Sequence, residues 1–363
     1  MVLPDGIEEI GSYAFWNTQP KSINVPTGVT EIKAGAFAIG NTGYVIMHDN
    51  ITRIENSGVG GVWCDWNNTP DCSVELVLPP KLKYMGDYVM EAFINEKIRR
   101  VVMPPALDSI GAGDYNSIRW HEYSNCEIDI NNVSNWCQIK LGSYWGNPFY
   151  QTGTLSVNGI VPTSIVIPDD AEEITDNIFI GCTSLRNVRF GSQKVGHQAF
   201  WNSDIEKVCF DSPELMNPSI FPSSLKEVYC TSPVPPQAIE RAFYNYDDKV
   251  TLYVPVGSKS AYENADPWWR FINIVEHDMS DINSIFPDET GVEDIVAPSR
   301  NWSVKVADGY ITVTGADAGS SVQVFNASGM MLYNGDAEKR IAVAPGVYMV
   351  RLSDGTSAKV LAK

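Results

Sequence analysis

The chain has 363 residues, of which 26 are Lys or Arg and 44 are Asp or Glu, so it carries a net charge of −18 at neutral pH. An acidic surface of this kind repels phosphate backbones and anionic membranes, which counts against nucleic acid or lipid as partner. No run approaches the ~18 consecutive apolar residues that cross a bilayer, and residues 1–20 lack a basic-then-apolar leader. Residues 297–363 hold seven basic and five acidic side chains, so the first 296 residues hold 19 and 39, a net of −20.

The first 210 residues repeat one phrase. Pro4, Ile7, Ile10, Ala14 and Phe15 return 22 positions later as Pro26, Val29, Ile32, Ala36 and Phe37. The five-residue offset from Ile10 to Phe15 recurs from Ile32 to Phe37, Ile54 to Val59, Met85 to Met90, Ile110 to Tyr115, Ile174 to Phe179 and Val195 to Phe200. A period of roughly 20–29 residues is the mark of a leucine-rich-repeat solenoid, in which each coil buries its apolar face on its neighbours. Ile10 to Phe15 is expected to form a tight, partly helical outer turn. β-Branched, alternating runs such as Ser22–Val25, Tyr44–Met47, Arg100–Met103, Asn187–Phe190, Lys207–Phe210 and Glu227–Cys230 are expected to be the strands.

The phrase resembles the BspA-like leucine-rich repeat of bacterial surface proteins, and the resemblance covers residues 1–278. Its fullest copy runs from Ile167-Pro168 through Ile174, Phe179 and Cys182 to Leu185 and Val188, with Thr175 and Ile178 where such repeats often carry Gly and Ala. Asn135-Trp136-Cys137-Gln138-Ile139, Asn147-Pro148-Phe149 and Leu155 to Gly159 resemble the segment that commonly interrupts these arrays. Tyr253-Val254-Pro255, Gly257-Ser258, Tyr262, Trp268, Phe271, Ile274 and Glu276 resemble the terminal coil. This divides the chain into a solenoid with insertions at 1–230 and a cap at 231–278, where Ser258 is expected to cap a short helix.

Residues 279–296 read as an acidic linker that follows Asp278 and holds Asp281, Asp288, Glu289, Glu293 and Asp294 with no Lys or Arg, and they are expected to be extended. Residues 297–363 change to period-two runs punctuated by Asp308-Gly309, Ser328-Gly329, Pro345-Gly346 and Asp354-Gly355, which predicts seven short strands and a small β-sandwich. Val324 to Leu332, Pro345 to Leu352 and Lys359 to Lys363 resemble the sorting domain of type IX secretion cargo. That resemblance implies export, and Met1, one residue before a repeat, fits a mature chain whose leader has been removed.

Catalytic patterns do not emerge. His48, His121, His197 and His277 fall in different coils, and no zinc-protease, C-x-x-C, nucleophile-elbow or EF-hand phrase occurs. No cofactor or metal is implied. The candidate ligand-binding residues are Trp63, Trp66, Trp120, Tyr123, Trp145 and Tyr150, which lie where coils lengthen; insertions in solenoids tend to emerge on one edge. Rings beside Asn and Asp suit a glycan or a peptide, and the alternative is that they fold back to plug the coils. The expected function is therefore a non-enzymatic, exported, cell-surface adhesion or recognition protein that binds host or microbial protein or glycan. The alternatives are a glycan-binding accessory of a polysaccharide-using bacterium and a structural surface spacer.

Cys182, Cys209 and Cys230 sit at repeat or strand positions, as small buried apolar groups. Cys64 and Cys72 instead flank a polar insertion whose Asn67-Asn68-Thr69-Pro70 favours a turn, which makes them the disulfide candidate in an oxidising compartment. Peptide mass mapping of exported protein without reductant is expected to recover the Cys64–Cys72 cross-link; an alkylated Cys64 contradicts it.

Overall fold

The computed structural model describes residues 1–38, 44–60, 62–65, 75–89, 99–113, 126–244, 249–290, 303–307, 310–316, 319–326, 331–337, 339–343, 346–352 and 357–362. The chain divides into two compact units, Met1–Gly291 and Val292–Lys363.

The first unit is a leucine-rich-repeat solenoid. Short parallel strands stack coil upon coil, each coil serving as the crossover that parallel pairing requires. Ser22–Asn24, Tyr44–Met47 and Val62–Asp65 form one sheet. Glu75–Val77, Arg100–Val102, Glu127–Ile130 and Thr154–Val157 form a second. Ser164–Val166, Asn187–Arg189, Lys207–Phe210, Glu227–Cys230, Thr251–Pro255 and Asn273–His277 form a third. Equivalent side chains register across the coils, as in Val208, Val228, Leu252 and Ile274, and point into one continuous core.

The segment expected to be a partly helical turn begins instead with a second row of strands. Glu31–Ile32, Arg53–Ile54, Tyr84–Met85, Ser109–Ile110 and Lys140–Leu141 pair side by side, as do Glu173–Ile174 and Lys194–Val195. Their donors find partners in the coil below, such as Gly86 N to Ile54 O at 2.8 Å and Gly111 N to Met85 O at 2.7 Å. Three residues after the buried Ile or Met of five coils the backbone turns left-handed: φ is 59° at Tyr13, 62° at Gly35, 48° at Ser57, 64° at Tyr88 and 61° at Asn177. Two residues later Phe15, Phe37 and Phe179 turn toward the core, where Val59 takes the same place in the coil of Ser57, and Phe rings stack along the axis. Phe149, Phe179, Phe200, Phe221 and Phe243 follow one another at centroid spacings of 4.9–6.4 Å.

The glycine that follows the buried Ile in several coils is required by its neighbour. A Cβ at Gly111 would lie 2.4 Å from the amide nitrogen of Asp87, and one at Gly196 would lie 2.5 Å from that of Asp176. Thr175 takes this place after the interrupting segment, where its hydroxyl donates to the carbonyls of Cys137 and Ile139 at 3.0 and 2.7 Å. The interruption is itself core. Trp136 is buried and donates to Ile178 O at 3.2 Å, while the amide of buried Asn147 donates to Asn177 O and Ile178 O at 2.6 and 3.0 Å. At the far end Tyr262, Trp268 and Phe271 close the core. Ser258 precedes the helix Lys259–Glu263 without a side-chain capping bond; the carboxylate of Glu276 accepts from Gly257 N and Lys259 N instead, at 2.9 and 3.2 Å. The adjoining strand brings that carboxylate to the helix start, where its charge outcompetes a hydroxyl.

The acidic stretch after His277 is not extended through Thr290. Short helical turns Met279–Asp281 and Ile282–Ile285 lay Ile282 and Phe286 onto Tyr229 and Cys209 on the outward face of the third sheet. Tyr229 stacks on Tyr253 at 4.5 Å and meets the Phe286 ring edge-on at 5.4 Å. Farther along, Asn283 accepts from Arg189, and the Glu289 carboxylate accepts from the backbone amides of Thr163 and Ser164 and the Thr163 hydroxyl. Apolar side chains at 282, 285 and 286 outweigh the repulsion that predicted extension. The strap therefore runs back across the sheet from its last strand to its first.

In the second unit the described residues form Ser303–Ala307, Tyr310–Thr314 and Ile341–Ala342 as one antiparallel sheet. Ser321–Asn326, Met331–Asp336, Gly346–Leu352 and Ser357–Ala362 form another. Ile311, Val313 and Ile341 from the first sheet share a core with Val322, Val324 and Val350 from the second, as a small β-sandwich requires. Among the described residues no helix is long and apolar enough to cross a membrane.

Two outcomes follow from the packing. Gly111→Ala should cost about 1–3 kcal/mol in chemical denaturation, whereas Gly11→Ala, with nothing within 4 Å of the added Cβ, should leave the midpoint unchanged. Phe286→Ala should peel the strap and expose Cys209, which is 1% accessible in the intact protein; mass mapping after maleimide treatment should show Cys209 labelled in the variant alone.

Candidate functional site

Successive coils place Tyr13, Gly35, Ser57 and Tyr88 at the same left-handed position. Two tyrosines thus stand three coils apart, roughly 14 Å at the usual strand spacing, with only a glycine and a serine between them. The Tyr13 ring leans over Gly35, where an added Cβ would lie 2.5 Å from the ring and 3.4 Å from Trp16. Trp16 meets the Tyr13 ring edge-on at 5.5 Å. On the opposite wall the Arg53 guanidinium lies 3.7 Å above the Tyr84 ring, a cation–π arrangement that fixes both groups.

The result is a trough of about 490 Å³ walled by Tyr13, Trp16, Tyr84 and Tyr88, with Ala34, Glu55, Asn56 and Ser57 along its floor. Tyr13, Trp16 and Tyr88 are 60, 56 and 45% exposed, unlike the rings of the core. The floor is held rigid. Glu55 accepts from Ala34 N at 3.1 Å, while Asn56 exchanges two 3.0 Å hydrogen bonds with Asp87, whose carboxylate accepts in turn from Ala112 N at 2.8 Å. Beside it, Lys33 bridges Glu31 and Glu55 at 2.8 and 3.7 Å. The hydrogen bond from Lys33 holds the Glu31 carboxyl below its ordinary value, and Glu31 in turn raises Lys33.

Of the residues singled out in the sequence, Trp145 and Tyr150 lie outside the trough. Trp63 and Cys64 belong to the strand Val62–Asp65, where their backbones pair with Val45 and Ile46; Trp66, Cys72, Trp120 and Tyr123 lie outside the described residues. Trp145 and Tyr150 are brought together, with centroids 5.0 Å apart and Tyr144 against both, in a half-buried cluster next to the interrupting segment. The trough residues were missed because they are not in insertions. Aligning the coils on the buried Ile would have found them, since the pattern Tyr, Gly, Ser, Tyr appears at one register.

Other polar groups are engaged in the fold. Asp129, buried on the second sheet, accepts from Arg100 at 2.6 Å, Ser156 at 2.9 Å and Gly159 N at 2.8 Å. His48 lies 2.9 Å from Pro26 O, and His277 lies 2.8 Å from Asp281. Cys126, Cys209 and Cys230 are buried thiols pushed up to about 12 chiefly by desolvation, which suppresses the nucleophilic thiolate. Among the described residues no three His, Cys, Asp or Glu side chains gather as metal ligands.

Residues 1–62 and 159–265 match the family described as the BspA type leucine rich repeat region, in six copies. No curated protein sequence matches the chain. Among solved structures it is similar to the pneumococcal vaccine antigen PcpA, at 12% identity over 76% of this chain and 88% of that one, with a TM-score of 0.36. It is also similar to a leucine rich cell surface protein from Faecalibacterium prausnitzii A2-165, at 13% identity over 74% of this chain and 91% of that one, with a TM-score of 0.22.

Proposed function

We propose that this is an exported, cell-surface recognition protein that binds protein or glycan of a host or microbial surface, with the solenoid as scaffold and the aromatic trough as contact site. The observation that carries the reading is the exposure of Tyr13, Trp16 and Tyr88 around a rigid polar floor. A solenoid has every means of burying rings in its core, as Phe179 and Phe200 show, so rings left in solvent around one concavity serve a partner. The match of residues 1–62 and 159–265 to the BspA type repeat, which the sequence resembles as a repeat of bacterial surface proteins, supports a place on the cell surface. The C-terminal sandwich, by its resemblance to secretion sorting domains, would supply the export route. No catalytic role is assigned: the reading rests on binding alone.

Testing the full chain on a glycan array and on immobilised extracellular-matrix proteins should reveal binding on at least one of them. Combined Trp16→Ala and Tyr88→Ala changes should weaken it by about tenfold or more, the scale of a lost aromatic hot spot. Silence on both surfaces would favour a structural spacer, and binding untouched by the two changes would move the contact away from the trough.

A further inference from the structure

We propose that the ligand of the trough is a neutral carbohydrate chain whose pyranose ring lies over Ser57 between the Tyr13–Trp16 and Tyr84–Tyr88 walls. This rests on the recognition reading above and names the ligand class. The argument begins with shape. Tyr13 already covers Gly35, so the open part of the trough lies over Ser57, between the coils of Gly35 and Tyr88, which are two strand spacings or ~9.6 Å apart. A gap of that size between aromatic walls suits one flat ring of a chain.

Chemistry narrows the class. The axial C–H faces of a pyranose are apolar and match aromatic walls, while its rim of hydroxyls needs short polar groups at the floor. Glu55, Asn56 and Ser57 supply a carboxylate, an amide and a hydroxyl there. Charge removes the acidic sugars. The cations of the described residues at the trough are already engaged, Arg53 on the Tyr84 ring and Lys33 on Glu31 and Glu55, and the first 296 residues carry a net charge of −20. A uronate or sulfate would meet the repulsion of that net charge and of the Glu55 carboxylate at the floor.

The fold supplies its own control. Tyr occupies the same left-handed position as Ser57 at φ 59° and 64° in coils one and four, so Ser57→Tyr fills the slot without asking the backbone for a new conformation. Calorimetric titration of the full chain with neutral oligosaccharides of β-linked glucose, mannose, xylose and N-acetylglucosamine and α-linked glucose should find at least one ligand. A heparin-derived oligosaccharide should not bind. Ser57→Tyr should lower that affinity at least ~tenfold, about 1.4 kcal/mol, while leaving the melting temperature in place, and Trp16→Ala should act in the same direction. Binding to an immobilised surface protein with no response to any neutral sugar would overturn the carbohydrate assignment and leave the recognition reading standing. Neutral-sugar binding unaffected by Ser57→Tyr would place it outside the slot and overturn the proposal as well, and so would preferential binding of the heparin fragment.

Discussion

The spacing of one coil on the next is the constraint from which the rest of the solenoid follows. Parallel backbone hydrogen bonds hold neighbouring coils roughly 4.8 Å apart, on two rows of strands at once. At that distance a side chain directly between backbones does not fit, which is why Gly86, Gly111 and Gly196 face the amides of Asn56, Asp87 and Asp176. The same spacing lets Phe179, Phe200 and Phe221 stack nearly parallel, with interplanar angles of 7° and 5°. Where the spacing is interrupted, a built polar contact restores it: Trp136 and Asn147 both donate to the carbonyl of Ile178, and Thr175 reaches back to Cys137.

Inward positions are thus tightly specified, and outward ones are nearly free. The left-handed turn is the clearest case, because it accepts Tyr13, Gly35, Ser57, Asn177 and Gln198 with similar φ. A position that holds its backbone shape whatever side chain it carries is a place where surface chemistry can change without refolding the coil. The trough is made this way, by large, small, small and large residues at one register. The outward face of the third sheet solves a different problem, since Tyr229 and Tyr253 would be an exposed apolar strip and the chain covers them with Phe286 and Ile282.

Much of this was legible in the residues. The offset from Ile10 to Phe15 and the β-branched runs located the coils and the long strands to within about a residue, because both signals are local and periodic. The second row of strands left no such trace: two-residue elements such as Arg53–Ile54 exist only through pairing with the next coil, a non-local effect. Counting charges after Asp278 hid the strap, although Ile282, Ile285 and Phe286 are spaced three and four apart, as one apolar helical face would be. Ser258 looked like a cap because a cap is read from its neighbours in sequence, while Glu276 reaches the helix from across a strand. The sequence pointed to insertions such as Trp66 and Trp120, whereas the trough shows only in a comparison between coils.

The strap has a mechanical consequence. By crossing from His277 to Thr163 it moves the point where the chain leaves the solenoid from the capped end to the strand Ser164–Val166, beside the interrupting segment. Tension applied through the C-terminus therefore reaches the middle of the coil stack first. Glu289 on Thr163 and Ser164 takes the load before Phe286 on Tyr229, and both must yield in sequence before any force arrives at Asn273–His277. The terminal coil, which would otherwise be the first to unravel under load, is sheltered by a segment that breaks contact by contact.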